Sequence, residues 1–410
     1  MKMKRYNTFV NENKIKVEIP IPKDVDEIAK AFHKAGKDLF VVGGAVRDFL
    51  QNKVPHDFDL VTNALPEETK KILKGWNVSD EQGKNFGVLR IFTEDEPLGH
   101  EIATYRKDIA KGRDVKGDEE KVEIGNHITI NDDVLRRDLT INALFYDINK
   151  KEIVDLVGGV KDIENGIIRS VGVPKERFNE DRLRILRVFR FAARTGGQID
   201  SITSQAIKDD NRLRGIGPKD DVSQERIHEE WNKVIEHAES GGVGIMERYI
   251  ELLTEYDMWE QMFPGLEITP DITIDFLENS IIFYDLFDNV DFNKKRKYLI
   301  ETLKFNGDLV NELYFLQEYH NSGLMPETVY KLAKLRKRFH ISEGLIRDFV
   351  KHEGNRSSQK RFMLAFFRYC DAGFVVNGND LIEQGFKGAE IEKEKERLEI
   401  ERFKNEYMSK

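Results

Sequence analysis

Val42-Gly43-Gly44-Ala45-Val46-Arg47-Asp48 is followed, after eight residues, by Asp57-Phe58-Asp59. The apolar run Leu39 to Val42 predicts a strand that stops at the paired glycines and hands over to a helix. Glycines at such a turn let backbone N–H groups approach a phosphate at the positive end of the helix. Arg47 opens that helix, placed to reach a phosphate or to hold a catalytic acid, while Asp48 suits its first turn. Alternation along the next strand puts Asp57 and Asp59 on one face and Phe58 on the other, towards the core. Two adjacent carboxylates repel unless a cation sits between them, and Mg²⁺ beside a triphosphate is the usual occupant. A lone Gly-Gly is usually a plain turn, and a lone Asp-x-Asp a solvated loop. Their order within one short segment points to phosphoryl or nucleotidyl transfer rather than hydrolysis of a neutral substrate.

Working outward, further β-like runs (Val88 to Phe92, Ile102 to Tyr105, Leu144 to Asp147) mix with helical patterns up to about Asp155, which predicts an α+β domain. Glu101 stands at the start of the Ile102 to Tyr105 run and reads either as a further carboxylate that binds or orients a metal, or as an ordinary strand-end acid. The polar stretch Lys107 to Asp132 reads as a loop with some strand character. From about Glu180 a helical pattern sets in, with Leu183, Leu186, Phe189, Arg190 and Ala193 on one face. Beyond it the chain is almost wholly helical, with breaks at Gly215 to Pro218, Gly241 to Gly244 and Pro264 to Pro270. The stretch from Ala389 reads as a charged helix of weak core potential, expected to fray or to pack on a partner.

A chain of 410 residues is long enough for two or more domains. Its single cysteine, Cys370, excludes an internal disulfide and fits a reducing cytosol. The basic N-terminus leads into no apolar segment, so a soluble, cytoplasmic protein without membrane partners is expected. The net charge of −9 argues mildly against nucleic-acid binding as an average. Locally, however, Lys331 to Arg361 is rich in Lys and Arg, which suits either RNA phosphates or a solvated helical face.

The chain resembles the tRNA nucleotidyltransferase/poly(A) polymerase family, in its class II, bacterial-type branch. The matching residues are Gly43 to Asp48; Pro55 to Thr62; Phe86-Gly87-Val88; Glu101 to Arg106; Arg136-Arg137-Asp138-Leu139-Thr140-Ile141-Asn142-Ala143; and Glu180-Asp181-Arg182-Leu183-Arg184-Ile185-Leu186-Arg187. They follow the family's order and span about residues 28 to 240. The resemblance implies an α+β, polymerase-β-like nucleotidyltransferase head (25–155) after an N-terminal extension (1–24). An all-α neck (156–240), body (241–330) and tail (331–410) would follow. It implies Asp57 and Asp59, aided by Glu101, as ligands of two Mg²⁺ ions. Gly43, Gly44, Arg47, Arg136, Arg137, Asp138, Asn142, Asp181, Arg184 and Arg187 would bind the nucleotide, and the loop from Lys107 would be the family's flexible loop. In the tail, Lys334, Arg336, Lys337, Arg338 and Lys387 are the expected RNA contacts, the last within a turn (Asn377 to Gly388) similar to that of the tRNA enzymes.

Asp138 and Asn142, four apart on a predicted helix, are expected to share a face. Asp181 and Arg184, three apart on another, would project as neighbours. A carboxylate accepts and a guanidinium donates, which matches the amino donor and ring-nitrogen acceptor of cytosine and adenine but not uracil or guanine. Each such bidentate match discriminates by on the order of 1–3 kcal/mol. The competing reading is an ordinary surface ion pair. The segment Ser223 to Val234 is read as support for this helix, with no chemistry assigned.

The implied activity is template-independent addition of CCA to tRNA 3′ ends from CTP and ATP, with release of pyrophosphate. A poly(A) polymerase, or an enzyme adding only CC or only A, shares the same blocks, and an inactive RNA-binding relative is a remote alternative. Gly83-Lys84-Asn85-Phe86-Gly87 stands where bacterial poly(A) polymerases carry a basic stretch, which favours CCA addition. The chain departs from the family pattern in two places: Lys107 to Arg113 lacks an expected tyrosine and a second acid, which bears on loop function and so on the final A addition, and Leu139 replaces a phenylalanine.

Overall fold

The structure, a computed structural model, describes residues 14–55, 57–79, 87–108, 122–213, 222–287, 289–354 and 356–408. It divides into two compact units, Met1–Glu230 and Trp231–Lys410.

The first unit is built on a mixed sheet. In chain order its strands are β1 (Lys14–Lys16), β2 (Leu39–Val42), β3 (Leu60–Thr62), β4 (Asn77–Ser79), β5 (Val88–Phe92) and β6 (His100–Thr104). A separate ribbon, β7 (Arg106–Asp108) with β8 (Val122–Ile124), precedes β9 (Leu144–Asp147) and β10 (Glu152–Asp155). The eight-stranded order is β1-β10-β9-β2-β3-β6-β5-β4. Strands β3 and β6 run parallel, whereas the other neighbours pair antiparallel. The run Leu39 to Val42 is buried on both faces: Leu39 and Val41 join one apolar cluster, Phe40 and Val42 the other. A continuous apolar run rather than an alternating one is what such a central strand requires.

The helices α1 (Lys23–Lys34), α2 (Gly44–Leu50), α3 (Pro66–Ile72), α4 (Ile130–Arg136), α5 (Gly159–Asn165), α6 (Pro174–Glu180), α7 (Leu183–Thr195), α8 (Ser201–Asp209) and α9 (Gln224–Gly241), with a short parallel pair β11 (Ile167–Ile168) and β12 (Gln198–Ile199), complete the order, α9 crossing into the second unit. Gly43 has φ +66°, a backbone region that penalises a Cβ, which is why a glycine stands between β2 and α2. Helix α7 starts at Leu183 rather than near Glu180, and is enclosed almost all round, with Leu183 to Leu186 and Val188 to Ala193 buried. The charges this encloses are matched: Arg190 Nε lies 2.7 Å from Glu230 Oε2.

The second unit is helical. It comprises the end of α9, then α10 (Gly244–Glu255), α11 (Trp259–Met262), α12 (Asn279–Leu286), α13 (Phe292–Glu301), α14 (Gly307–Asn321), α15 (Val329–Phe339), α16 (Glu343–His352), α17 (Ser357–Ala372), α18 (Gly378–Glu383) and α19 (Ala389–Phe403). The breaks at Gly241 to Gly244 and Pro264 to Pro270 fall between helices as expected, and Gly215 to Pro218 lies outside the described residues. Trp231 stacks on Phe283 at 4.8 Å, within a cluster that includes Phe263 and Phe287. The expectation of weak core potential for α19 is corrected: the helix contributes to the core. Phe403 is fully buried in the apolar cluster of α15 to α17. Buried Glu399 accepts from Tyr369 and from the Val375 and Val376 amides, so one polar residue fastens helix, loop and core together. No helix among the described residues is long and apolar enough to cross a membrane.

Candidate active site

Asp57 and Asp59 are exposed and Phe58 is buried, so the alternation holds although the regular strand begins only at Leu60. The Val42 amide donates to the Asp59 carbonyl at 2.9 Å, which pins the acid beside the glycine turn. Parallel pairing of Leu60 with Ile102 sets Asp59 level with Glu101 on the neighbouring strand. The Asp59 side chain opens to solvent, yet the protein around it desolvates its carboxyl. Burial is the largest cause raising its pKa, the Glu101 and Asp57 charges add to it, and Arg137 and His100 oppose it. Glu101 pairs across the sheet with Arg90, the ion pair expected of an ordinary strand-end acid.

Among the described residues no group of three or more His, Cys, Asp or Glu could hold a metal by itself. Mg²⁺ usually takes one or two carboxylates and completes its shell with water and substrate phosphates. Hard carboxylate donors, one of them with its pKa raised by burial and then by its acidic neighbours, fit such an ion.

Next to these acids lies a cavity of about 540 Å³. Arg47, Arg106, Arg136, Arg137, Arg184, Arg187, Arg194 and Arg226 line it, against Asp59, Asp108, Asp138 and Asp181, with Gly43, Gly44 and Asn142 in its wall. The excess of guanidinium groups makes it a receptor for a polyanion. All the predicted nucleotide-binding residues therefore share one wall.

How they arrive there differs from expectation in two places. Arg136, Arg137, Asp138 and Asn142 do not lie on one helix. Helix α4 ends at Arg136, Arg137 turns to extended geometry, Leu139 bridges to Ser170, and Thr140–Asn142 form a separate 3-10 turn. Buried Asp133 gathers both arginines at the helix end, which leaves the following residues free to leave the helix axis. Asn142 Nδ2 still reaches Asp138 Oδ1, at 3.5 Å, through the turn rather than through helical spacing.

Likewise, Asp181 and Arg184 are not neighbours on one helix. Asp181 is an extended residue between α6 and α7, where its Oδ1 accepts from the Leu183 amide at 3.1 Å and so satisfies an open helix-end N–H. Its Oδ2 accepts from Arg226 Nη2 at 2.9 Å. Arg184 turns instead to Glu180 (2.7 Å), Asp108 (3.3 Å) and the Arg177 and Arg136 carbonyls.

Arg47 is buried and donates to Asp48 and to Asn142, holding the 3-10 turn to α2 rather than holding a catalytic acid. Arg187 holds Asp138 at 2.6 Å. Burial opposes ionisation of Asp138, but the Arg187 charge and hydrogen bond, the Leu139 amide and Asn142 together hold its pKa down to about 2. Because the folded value lies below the ordinary one of 3.8, this contribution is complete above about pH 4 and is lost as pH falls through 2. Asp138→Asn should remove a stabilisation on the order of 2 kcal/mol at neutral pH. In urea titrations from pH 7 to pH 2, the wild type is expected to converge on the variant at the acid end.

Sequence reasoning passed over Arg194, Arg226 and Asp108 as site residues. Arg194 carried a signal, since seven residues after Arg187 it returns to the same helix face. Arg226 carried none, because 45 residues separate it from Asp181. Asp108 lies on the ribbon, whose residues 109–121 fall outside the described set, and with them half of the predicted flexible loop. The segment Gly83 to Phe86 is outside it too.

In the second unit, Lys334, Lys337 and Arg338 line a concavity of about 580 Å³ with Tyr330 and Phe374, but Glu392 and Glu396 share it. Lys334 pairs with Glu392. Arg336 pairs with Glu343 and lies over the Phe367 ring. Lys387 is exposed between α18 and α19, away from that concavity's lining.

Residues 39–169 match the poly(A) polymerase head domain family. The chain is 38% identical over 208 residues to the CCA-adding enzyme of Ligilactobacillus salivarius, covering 51% of this chain and 48% of that protein. It is 33% identical over 254 residues to poly(A) polymerase I of Escherichia coli O157:H7, covering 60% of this chain and 51% of that one. The chain thus spans about half the length of these two curated relatives. With the CCA-adding enzyme of Lactobacillus helveticus it shares 30% identity, over 75% of this chain and 69% of the relative. In fold it is similar to the Bacillus stearothermophilus CCA-adding enzyme solved with CTP (TM-score 0.66, 21% identity, 92% and 91% of the chains covered). A strand-turn-helix followed by two acids, an arginine-lined cavity beside them and these matches lead to one assignment: the chain belongs to the tRNA nucleotidyltransferase/poly(A) polymerase family.

Proposed function

We propose that this chain adds CCA to tRNA 3′ ends without a template, taking CTP and ATP and releasing pyrophosphate. The observation that carries the proposal is the juxtaposition of Asp59 and Glu101 with a cavity whose guanidinium groups suit a triphosphate and whose rim carries Asp181 and Arg184. Asp57 and Asp59 would hold Mg²⁺, with Glu101 orienting. Bound there, the metal supplies charge neutralisation at the phosphates and a more acidic 3′-hydroxyl. The arginines bind and align the triphosphate, and Arg47 and Arg187 keep Asn142 and Asp138 turned into the cavity for the ribose. Asp181 accepts from the exocyclic amino group of cytosine or adenine. Arg184 donates to the ring nitrogen, turning from Asp108, the longest of its contacts.

The names of the relatives support both CCA and poly(A) addition, and the solved neighbours named CCA-adding enzymes, one of them from Thermotoga maritima complexed with a tRNA, add weight to the first. In this reading residues 25–155 form the head, 156–240 the neck, 241–330 the body and 331–410 the RNA-binding tail. Lys337, Arg338 and Lys387 are the tail cations proposed for phosphate contact, together with Lys334 and Arg336 once RNA competes with their present acidic partners. The deciding experiment is primer extension on a tRNA transcript lacking its CCA end, with Mg²⁺ and each nucleotide alone or combined. Three added residues requiring both CTP and ATP are expected. A long ladder with ATP alone would make this a poly(A) polymerase, and a stop after CC a partial enzyme.

Asp181→Ala should admit UTP and GTP, cutting discrimination by about five- to one-hundred-fold, the value of one bidentate contact. A variant still strict for C and A in single-nucleotide incorporation would remove Asp181 from base reading.

A further inference from the structure

We propose that Arg226 is a positioning residue that sets the direction of the Asp181 carboxylate and, through it, the choice of base; this rests on the reading of Asp181 as a base contact given above. Asp181 sits on an extended residue (φ −148°, ψ 108°) between two helices, so no helical side-chain packing fixes its rotamer. The partner expected from spacing, Arg184, bonds elsewhere. What orients the carboxylate is one contact on each oxygen: the Leu183 amide on Oδ1 at 3.1 Å and Arg226 Nη2 on Oδ2 at 2.9 Å. Two contacts on different oxygens fix the plane of the group. A carboxylate offers about four lone-pair sites, so acceptor directions remain for a base.

Arg226 is itself held by construction. It stands on the first turn of α9, four residues before Glu230, and so shares a helix face with it. Glu230 is buried and bound to Arg190 (2.7 Å) and Arg187 (3.6 Å) on α7. The first turns of α9 are thereby tied to the helix that carries Arg184, and Arg226 reaches Asp181 from that anchored segment. Both residues line the same cavity. Without the guanidinium, the Leu183 amide alone holds Asp181, and the carboxylate can rotate about that single contact. A rotated acceptor no longer separates an amino donor from a carbonyl.

The test is single-nucleotide incorporation on tRNA lacking CCA, measuring kcat/KM for CTP against UTP and for ATP against GTP. Arg226→Ala is expected to lower both ratios by about ten-fold, mainly through a higher KM for the correct nucleotide. Arg226→Lys, which returns one charged donor, should restore part of the ratio. In an Asp181→Ala background, Arg226→Ala should change the ratio no further, because it acts through the missing group. If melting curves show that Arg226→Ala is unfolded, Arg226→Gln takes its place in the same comparisons. Unchanged ratios in a folded Arg226 variant, or losses that multiply in the double variant, would overturn the positioning role. A wild type that adds neither C nor A overturns the functional reading and this inference with it, and that result differs from a strict wild type with a strict variant.

Discussion

Asp59→Asn should lower nucleotide incorporation by roughly a thousand-fold, about 4 kcal/mol of transition-state stabilisation, while leaving RNA binding in gel shifts nearly intact. The carboxylate is beside Glu101 and near Asp57, and loss of its charge removes a proposed metal ligand without a change of size. The same variant should melt at or above the wild-type temperature in metal-free buffer at neutral pH. Burial and the Glu101 charge raise the Asp59 pKa above its ordinary 3.8. An acid whose folded pKa is raised has its best effect on stability below the unfolded value, and that effect is lost as pH rises through the folded value. At neutral pH the ionised form therefore opposes folding, and the stability gap between variant and wild type should close as pH falls below about 4. A site that is less stable than its neutral counterpart is the usual cost of gathering like charges for catalysis. Unchanged turnover in Asp59→Asn would sink the metal assignment.

Gly159→Ala is the second variant with a large expected effect, this time on the fold. A Cβ at Gly159 would stand 2.1 Å from the Thr140 carbonyl oxygen and 2.8 Å from its carbon, both backbone atoms that cannot rotate away. Gly159 cannot retreat either, because Asp155 accepts from the amides of Val157, Gly158, Gly159 and Val160 and fastens the start of α5 to β10. The loss should be about 3 kcal/mol, at the upper end of overpacking costs, as measured by denaturant unfolding. The displaced segment Thr140–Asn142 carries Asn142 into the cavity, so residual folded protein should also bind nucleotide more weakly. The neighbouring Gly158→Ala meets no atom within 4 Å, although its φ of +80° adds backbone strain, and should cost less.

Much of the catalytic half was readable because its signals are local. Two apolar strands match their predicted bounds, Val88 to Phe92 and Leu144 to Asp147, since continuous or alternating apolar residues suffice to mark a strand. The glycine turn, the exposed-buried-exposed pattern of Asp57 to Asp59 and the apolar content of α7 belong to the same class of signal. The errors fell where local and tertiary preferences compete. Spacing alone placed Arg136 to Asn142 on a helix, but Asp133 collects two arginines at its end and the Leu139–Ser170 bridge draws the chain off the axis. Spacing also joined Asp181 to Arg184, whereas an aspartate can hydrogen-bond the backbone two residues on and so starts a helix instead of continuing one. The same limit applied to α19, whose charged composition concealed one buried Phe403 and one buried Glu399.

By itself the sequence determined the family blocks, the strand-turn-helix with the two acids that follow it and the mainly helical character of the described residues after about 180, because each depends on residues close in the chain. Only the tertiary structure decided which charges meet. Parallel pairing of β3 with β6 brings Asp59 beside Glu101, and the ion pairs of Glu230 with Arg187 and Arg190 seat the first turns of α9 where Arg226 meets Asp181, 45 residues away. Periodicity fixes the direction a side chain takes from its own element. The partner it finds depends on which elements pack together, and that is set by burial of the core as a whole.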